Sequence, residues 1–418
     1  MAVVGLGYVG LPLALEFAKH FSVIGYDIKQ RNLKLLQSNI DPSGELGEES
    51  FKNRDIVFTS NSEELRDANF FIIAVPTPID KYNKPDLRPL LSATLAVANV
   101  LQPGDYVVYE STVYPGCTYE ECVPLLERVS GLRFRKDFKV GYSPERINPG
   151  DAEHSLQNTV KIVSACDGES LDEIAKIYES VVTAGVHRAP DIRVAEAAKI
   201  IENTQRDVNI ALMNELSILF NRMGINTFDV IKAAATKWNF VPYTPGLVGG
   251  HCIGVDPYYM VHKASELKYH PQMIASGRFV NDSMGGYIAK QTVKKLLAND
   301  LPLLRARVLI MGITYKENVS DIRNSKVVDI VKELQSYRVA VDVVDPNADP
   351  HAVDEEYNVK LLPQPAGKYH AVIMAVPHRE YLNMTESDFK FLLDPKGLVV
   401  DIRGVFKDIV KDLRYWSL

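Results

Sequence analysis

Cysteine is scarce in this chain. Its 418 residues carry four, Cys117, Cys122, Cys166 and Cys252, with no paired metal-type spacing. That excludes a disulfide framework, gives no reason to expect a metal site, and fits a reducing compartment. No uninterrupted apolar stretch approaches the roughly 20 residues of a membrane helix, and no charged-then-apolar leader precedes the first motif. The expectation is a soluble cytoplasmic protein with no membrane partner. The formal net charge is -6 and the basic residues are scattered, which argues against a nucleic-acid partner and requires any phosphate binding to be local. There is no internal repeat or low-complexity tract, although two alternating strand-helix units could be taken as a degenerate duplication. The apolar fraction, 46%, is that of a globular protein, and the length exceeds one ordinary core, so two or three domains are expected.

What is present begins at once. Ala2 to Val4 read as a short apolar strand running into Gly5-Leu6-Gly7-Tyr8-Val9-Gly10 and then into a helical pattern from Leu11 to Lys19. This is the strand, glycine turn and helix order of a dinucleotide site. Gly5 permits the tight turn, Gly7 lets the backbone approach a pyrophosphate, and Gly10 lets the helix pack on the strand, while the helix amino terminus favours the anion. The pattern alone has low specificity; its context adds to it. Ser22 to Asp27 read as a second strand ending in an acid, about 20 residues after the glycines, where a carboxylate accepts from ribose hydroxyls and repels a 2′-phosphate. NAD is therefore expected over NADP, a preference that Lys29 and Arg31 moderate. The opening strand is short, so residues are expected to be missing upstream of Met1.

Further strands are predicted at Ile56 to Thr59, Phe70 to Val75, Tyr106 to Glu110 and Val140 to Tyr142, separated by helical patterns, as in a parallel sheet. Polar or proline-rich segments follow at strand ends, where such sheets place ligands: Val75-Pro76-Thr77-Pro78, Glu110-Ser111-Thr112 and Ser143-Pro144-Glu145-Arg146. Taken singly, Thr112 and Glu145 serve equally well as turn or cap residues.

From Ile192 to Met223 glycine and proline are absent and apolar residues recur at helical spacing. A helix of that length would run roughly 45 to 50 Å, long enough to link domains and to pair with a second subunit. Lys199 and Asn203 lie four apart on it, hence on one face. Lys199 has two readings, a snorkelling surface lysine or a buried one with a depressed pKa suited to proton transfer. A second alternating unit starts at Arg307 to Gly312, continues through Val339 to Asp345 and Ala371 to Val376, and closes at Leu398 to Ile402. It resembles another nucleotide-binding sheet without the full glycine fingerprint. The loop after its first strand carries Tyr315, Lys316 and Arg323, an aromatic and two cations able to stack a base and grip a diphosphate, or to form an ordinary solvated loop.

Between the long helix and this second unit lies Gly249-Gly250-His251-Cys252-Ile253-Gly254-Val255-Asp256. A free cysteine is usually a small buried apolar residue. Here the flanking glycines permit close backbone approach and Asp256 follows four residues on, which favours chemistry. Moving one hydride needs no covalent nucleophile. Taking an aldehyde to a carboxylate does, because a thiohemiacetal can lose a second hydride.

Together these segments resemble the UDP-glucose and GDP-mannose dehydrogenase family over essentially the whole chain. The resemblance implies an α/β protein with two Rossmann-like, doubly wound parallel-sheet domains joined by a central helical domain on one long helix. The expected boundaries are 1–190 for NAD, 191–300 for the helical domain with the cysteine segment, and 301–418 for the UDP-sugar. A homodimer or larger homo-oligomer through the central helix is implied. Ser143-Pro144-Glu145-Arg146-Ile147-Asn148-Pro149-Gly150, Glu202 to Asp207 and Gly249 to Tyr259 are most similar to the branch acting on UDP-N-acetylhexosamines for surface polysaccharides. Arg146-Ile147 replaces the Phe-Leu of the UDP-glucose branch, and Asn32 replaces a basic residue that the family places after the ribose acid.

By that resemblance Cys252 is the nucleophile, Lys199 and Asp256 manage protons and water, Asn203 holds the C6 oxygen, and Thr112 and Glu145 serve hydrolysis. Lys199 is left as either base or electrostatic stabiliser. The cofactor set is Gly5, Gly7, Tyr8, Val9, Gly10, Asp27, Thr77, Thr112 and Arg323. The substrate set is Glu145, Arg146, Lys199, Asn203, Tyr243, Gly249, Tyr315 and Lys316. The implied reaction is a four-electron oxidation of the substrate's C6 hydroxymethyl to the uronic acid, the N-acetylglucosamine or galactosamine sugar ahead of the mannosamine or glucose one. A one-step hydroxyacid-type dehydrogenase and a non-catalytic nucleotide-sugar-binding protein are the rivals.

Overall fold

In the computed structural model, which describes residues 1–146, 156–301 and 303–418, the chain divides into two units. The first comprises Met1–Glu202 with Tyr258–His270, the second Asn203–Pro257 with Pro271–Leu418. The Ile147-Asn148-Pro149-Gly150 half of the proline-rich motif lies outside the described residues.

The first unit is built on β1 (Ala2–Val4), β2 (Val23–Tyr26), β3 (Ile56–Thr59), β4 (Phe70–Ile73), β5 (Tyr106–Tyr109), β6 (Lys139–Tyr142), β7 (Lys161–Ala165) and β8 (Val186–Arg188). They form one sheet in the order β3-β2-β1-β4-β5-β6-β7-β8. All pairings are parallel except β6 with β7, which is antiparallel. Its helices are α1 (Gly10–Phe17), α2 (Gln30–Leu36), α3 (Arg88–Ala98), α4 (Val123–Ser130) and α5 (Gly168–Glu179). β4 is Phe-Phe-Ile-Ile, buried at every position, as a central strand covered on both faces must be. Leu11, Leu15, Phe17, Ile72, Val108 and Ile174 belong to one core of this unit. The chain order reverses between β1 and β4, which opens a crevice at their carboxyl ends.

Helix α6 (Ile192–Met223) runs unbroken for 32 residues, the span its lack of glycine and proline predicts. Helices α7 (Thr227–Ala234), α8 (Asp256–Glu266) and α9 (Gln272–Ala298) follow.

The second sheet holds β9 (Arg307–Met311), β10 (Ala340–Val344), β11 (Tyr369–Met374), β12 (Leu393–Asp401) and β13 (Arg414–Ser417), all parallel in the order β10-β9-β11-β12-β13. Helices α10 (Val327–Ser336), α11 (Pro350–Tyr357) and α12 (Glu386–Leu392) complete it. One face packs a core that includes Ile288, Leu296, Ile310, Ile330 and Leu334; the other packs Leu309, Val372, Phe389 and Phe406. The fold is thus the α/β class expected, two Rossmann-like sheets with a helical region that contains one long helix.

Among the described residues no helix is long and apolar enough to cross a membrane.

Candidate functional site

The glycine turn of the first unit divides its labour as the sequence implies. Gly5 has φ +96°, and a Cβ there would meet the Ala74 carbonyl oxygen at 2.8 Å. A Cβ on Gly10 would lie 1.8 Å from the Gly5 carbonyl oxygen, so α1 can start this close to β1 only without a side chain. At Gly7 no other protein atom lies within 4 Å of that position, leaving the backbone open to a close-lying ligand. Tyr8 and Val9, half-buried, lead into α1. Asp27 accepts from the Leu6 amide at 2.9 Å with one carboxylate oxygen and from the Lys29 amide at 2.8 Å with the other. The acid therefore also ties the turn to the end of β2.

The neighbouring strand ends are laced together. Thr77 donates its hydroxyl to the Thr112 carbonyl at 2.6 Å, Ser111 donates to the Val75 carbonyl at 2.7 Å, and Tyr259 donates to the Thr77 carbonyl at 2.7 Å. Glu145 is 6% exposed and accepts from the Arg146 amide at 2.6 Å. Arg146 forms an ion pair with Glu202 at 2.7 Å. Lys199, one turn before Asn203 on α6, is 8% exposed, which removes the snorkelling reading. Lys161, which sequence reasoning did not single out, forms a buried ion pair at 2.6 Å with Glu110 of the Glu110-Ser111-Thr112 segment. A lone lysine opening the run Ile162-Val163-Ser164-Ala165 was the signal available.

In the second unit the cysteine segment packs against the Tyr315 loop. Gly250 has φ +80°, and a Cβ on it would sit 2.7 Å from the Tyr315 ring. A Cβ on Gly249 would meet the Asn324 carbonyl oxygen at 2.6 Å. The glycines flanking the thiol thus admit the aromatic ring. Cys252 is partly exposed, and its carbonyl accepts from the Asp256 amide at 2.8 Å, a turn that delivers the chain into α8. Asp256 is 2% exposed and accepts from the Asn203 side-chain amide at 2.6 Å. Tyr243 donates to Gln205 at 3.2 Å. Lys316 lies 5.7 Å from the Tyr315 ring centre.

Arg323 donates to Asp321 at 2.5 Å and to His251 Nδ1 at 3.2 Å. Burial alone would raise the Asp321 pKa, but the adjoining His251 ring and the hydrogen bonds from Arg323 outweigh it and hold the carboxyl well below its usual range.

The Tyr315 loop is itself held from beneath. Asp345, at the end of β10, accepts from the Ile313 amide at 2.6 Å and the Thr314 amide at 3.2 Å, the same strand-end device by which Asp27 holds Leu6. The side chains of His378 and Asp345 are fully buried. Two donors, the Asn318 amide at 3.0 Å and the Asn347 side chain at 2.9 Å, aim at His378 Nδ1. That nitrogen therefore accepts, and the ring proton sits on Nε2, 3.1 Å from Asp345. Sequence reasoning placed Asp345 at a strand end without drawing this role, and a lone His378 gave no signal.

Three parts of the UDP-glucose/GDP-mannose dehydrogenase family match in order: its NAD-binding domain over residues 1–182, its central domain over 193–283 and its UDP-binding domain over 309–408. The chain belongs to this family. As a UDP-glucose/GDP-mannose dehydrogenase family member it is an NAD-dependent oxidoreductase of a nucleotide sugar. The open Gly7 position and the Asp27-braced turn fit NAD. The chain is 52% identical to Protein CapL of Staphylococcus aureus, over 100% of this chain and 99% of that one. It is 50% identical to the UDP-N-acetyl-D-glucosamine 6-dehydrogenase of Pseudomonas aeruginosa, over 99% of each. Among solved structures, the UDP-N-acetylmannosamine dehydrogenase of Pyrococcus horikoshii superposes with a TM-score of 0.89 at 29% identity, covering 100% of this chain and 99% of that one.

Proposed function

We propose that this protein oxidises the C6 hydroxymethyl of a UDP-N-acetylhexosamine, UDP-N-acetylglucosamine first among them, to the uronic acid for surface polysaccharide synthesis. One observation carries the sugar. Relatives named UDP-N-acetyl-D-glucosamine 6-dehydrogenase share 50% and 48% identity with this chain over 99% of its length, whereas those named for the mannosamine sugar share 30 to 33%.

In this reading the Gly5 to Gly10 turn, Asp27, Thr77, Thr112 and Arg323 hold NAD, which when bound accepts one hydride in each of the two oxidations. Tyr315, Lys316, Tyr243, Arg146 and Gly249 hold the nucleotide sugar. Lys199, directly or through water, takes the C6 hydroxyl proton or steadies the oxyanion, and Asn203 holds the C6 oxygen. Cys252 captures the aldehyde as a thiohemiacetal, which becomes a thioester after the second oxidation. Glu145 and Asp256 guide the hydrolytic water, and Thr112 serves the same step.

The protein acts as a cytoplasmic homodimer or larger homo-oligomer. The support is a row of exposed apolar side chains on α6, Val194, Ile201, Leu212, Leu219 and Met223, spaced to share one helical face.

The test is NADH yield across a panel of UDP-hexoses and UDP-N-acetylhexosamines. Two NADH per UDP-N-acetylglucosamine, with other sugars slower, is expected. One NADH per sugar would refute the four-electron reaction, and a preference for UDP-glucose would refute the substrate.

A further inference from the structure

The first unit contains a buried charge cluster in which Lys161 and Glu110 have no part in the catalytic reading. Lys161 opens β7 and is 2% exposed. Its ammonium lies 2.6 Å from a Glu110 oxygen and 3.5 Å from a Glu145 oxygen. The second Glu110 oxygen accepts from the Tyr178 hydroxyl at 2.5 Å. Glu110 immediately precedes Ser111-Thr112 at the end of β5. Lys161 therefore bridges the two strand ends that carry Thr112 and Glu145.

The segment bearing Glu145 is pinned on both sides of this lysine. Ser143 donates to the Ile162 carbonyl at 2.8 Å, and Arg146 donates to the Val160 carbonyl at 2.9 Å. Residues 143–146 thus lie along the start of β7, with Lys161 between the two anchors and its ammonium between the Glu110 and Glu145 carboxylates. A buried lysine is costly to hold unless its charge is met, and packing alone would be served by an apolar residue.

We propose that Lys161, steadied by Glu110, is a positioning residue for the hydrolytic half of the reaction, aiming the Glu145 carboxylate at the attacking water. This rests on the reading of Glu145 given above. In that step a water oxygen adds to the acyl carbon and the C–S bond to Cys252 breaks. Its electron pair goes to sulfur, and the water proton passes to Glu145. Burial pushes the Glu110 carboxyl up to about 7, against the pull of Lys161.

The test separates the oxidations from hydrolysis. Lys161→Met, mixed with NAD and UDP-N-acetylglucosamine, should release a rapid burst of NADH. Steady turnover should then fall roughly 100-fold, the scale of a misplaced catalytic group, while an acyl adduct on Cys252 accumulates by intact mass. Lys161→Arg should restore most of the steady rate. A Lys161→Met enzyme with an unchanged steady rate, or with burst and steady rate lowered together and no adduct, would overturn the proposal. Glu145→Gln separates this failure from that of the reading beneath it: if that variant also builds no adduct, the role of Glu145 falls, and if it does while Lys161→Met does not, only the positioning role falls. Should Lys161→Met not fold, Lys161→Met with Glu110→Leu removes both partners of the ion pair together. The same adduct is expected from it, and wild-type partition would overturn the idea.

Discussion

The side-chain amide of Asn203 donates to an Asp256 carboxylate oxygen at 2.6 Å, joining the middle of α6 to the first residue of α8 across 53 positions of chain. Both residues are buried, so the bond forms where water competes little. Four residues upstream of Asp256 stands Cys252, whose carbonyl accepts the Asp256 amide. This short connection ties the helix, the carboxylate and the cysteine turn together.

If these two residues act as a unit, the losses from Asn203→Ala and Asp256→Ala in kcat/KM will not add. A double-mutant cycle should return a coupling of about 0.5–3 kcal/mol. Additive losses would mean that the two side chains serve separate steps.

Cys252→Ser should lower steady turnover by more than about 10³-fold, as loss of a nucleophile does elsewhere, with NAD affinity unchanged by titration. Turnover near the wild-type rate would remove Cys252 from the nucleophile role.

For Lys199→Ala the expected result is a fall in kcat of roughly 100-fold with a smaller change in KM. The buried position of this lysine makes a merely solvated role inconsistent with such a loss. An unchanged kcat would exclude any chemical part for it.

Gly250→Ala places a methyl group 2.7 Å from the Tyr315 ring on a backbone at φ +80°. The left-handed conformation alone costs an alanine about 1–2 kcal/mol, and the ring must also shift. KM for the nucleotide sugar should rise roughly tenfold, equivalent to ~1.4 kcal/mol, while KM for NAD holds. A lower melting temperature with both KM values intact would show that Tyr315 does not touch the sugar nucleotide.

Asp345 makes the second sheet's loop sensitive to acid. Burial would raise its pKa, but hydrogen bonds from His378 and the Ile313 amide lower it from 3.8 to about 2. A carboxyl depressed on folding adds stability that is present above its unfolded value and is lost as pH falls through the folded one. The contribution is up to about 2 kcal/mol above pH ~4, fading towards pH ~2. Asp345→Asn should therefore unfold at lower denaturant than wild type at pH 7, and the gap should narrow below pH ~4. A gap constant down to pH ~2.5 would show that the ionised carboxylate is not the source.

Much of this was legible along the chain because the information is local. The strand, glycine turn and helix at residues 2 to 17, the acid at Asp27 and the unbroken helix from Ile192 to Met223 each follow from periodicity or from a residue's own backbone freedom. Strands β7, β8 and β13 were not singled out: β7 begins with Lys161, whose charge makes sense only beside Glu110 and Glu145, and β8 and β13 carry charged residues, Arg188 and Arg414.

The sequence by itself determined the two doubly wound sheets, the long helix between them and the residue types available for two oxidations. Only the tertiary structure decided which of those residues meet: Asn203 with Asp256, Gly250 with the Tyr315 ring, Asp345 with His378, Lys161 with two carboxylates. The physical reason is range. Backbone conformation and apolar periodicity are written within a turn or a strand, whereas a buried hydrogen bond or ion pair exists only once residues 16 to 53 positions apart have been brought within 3.5 Å and water has been removed from between them.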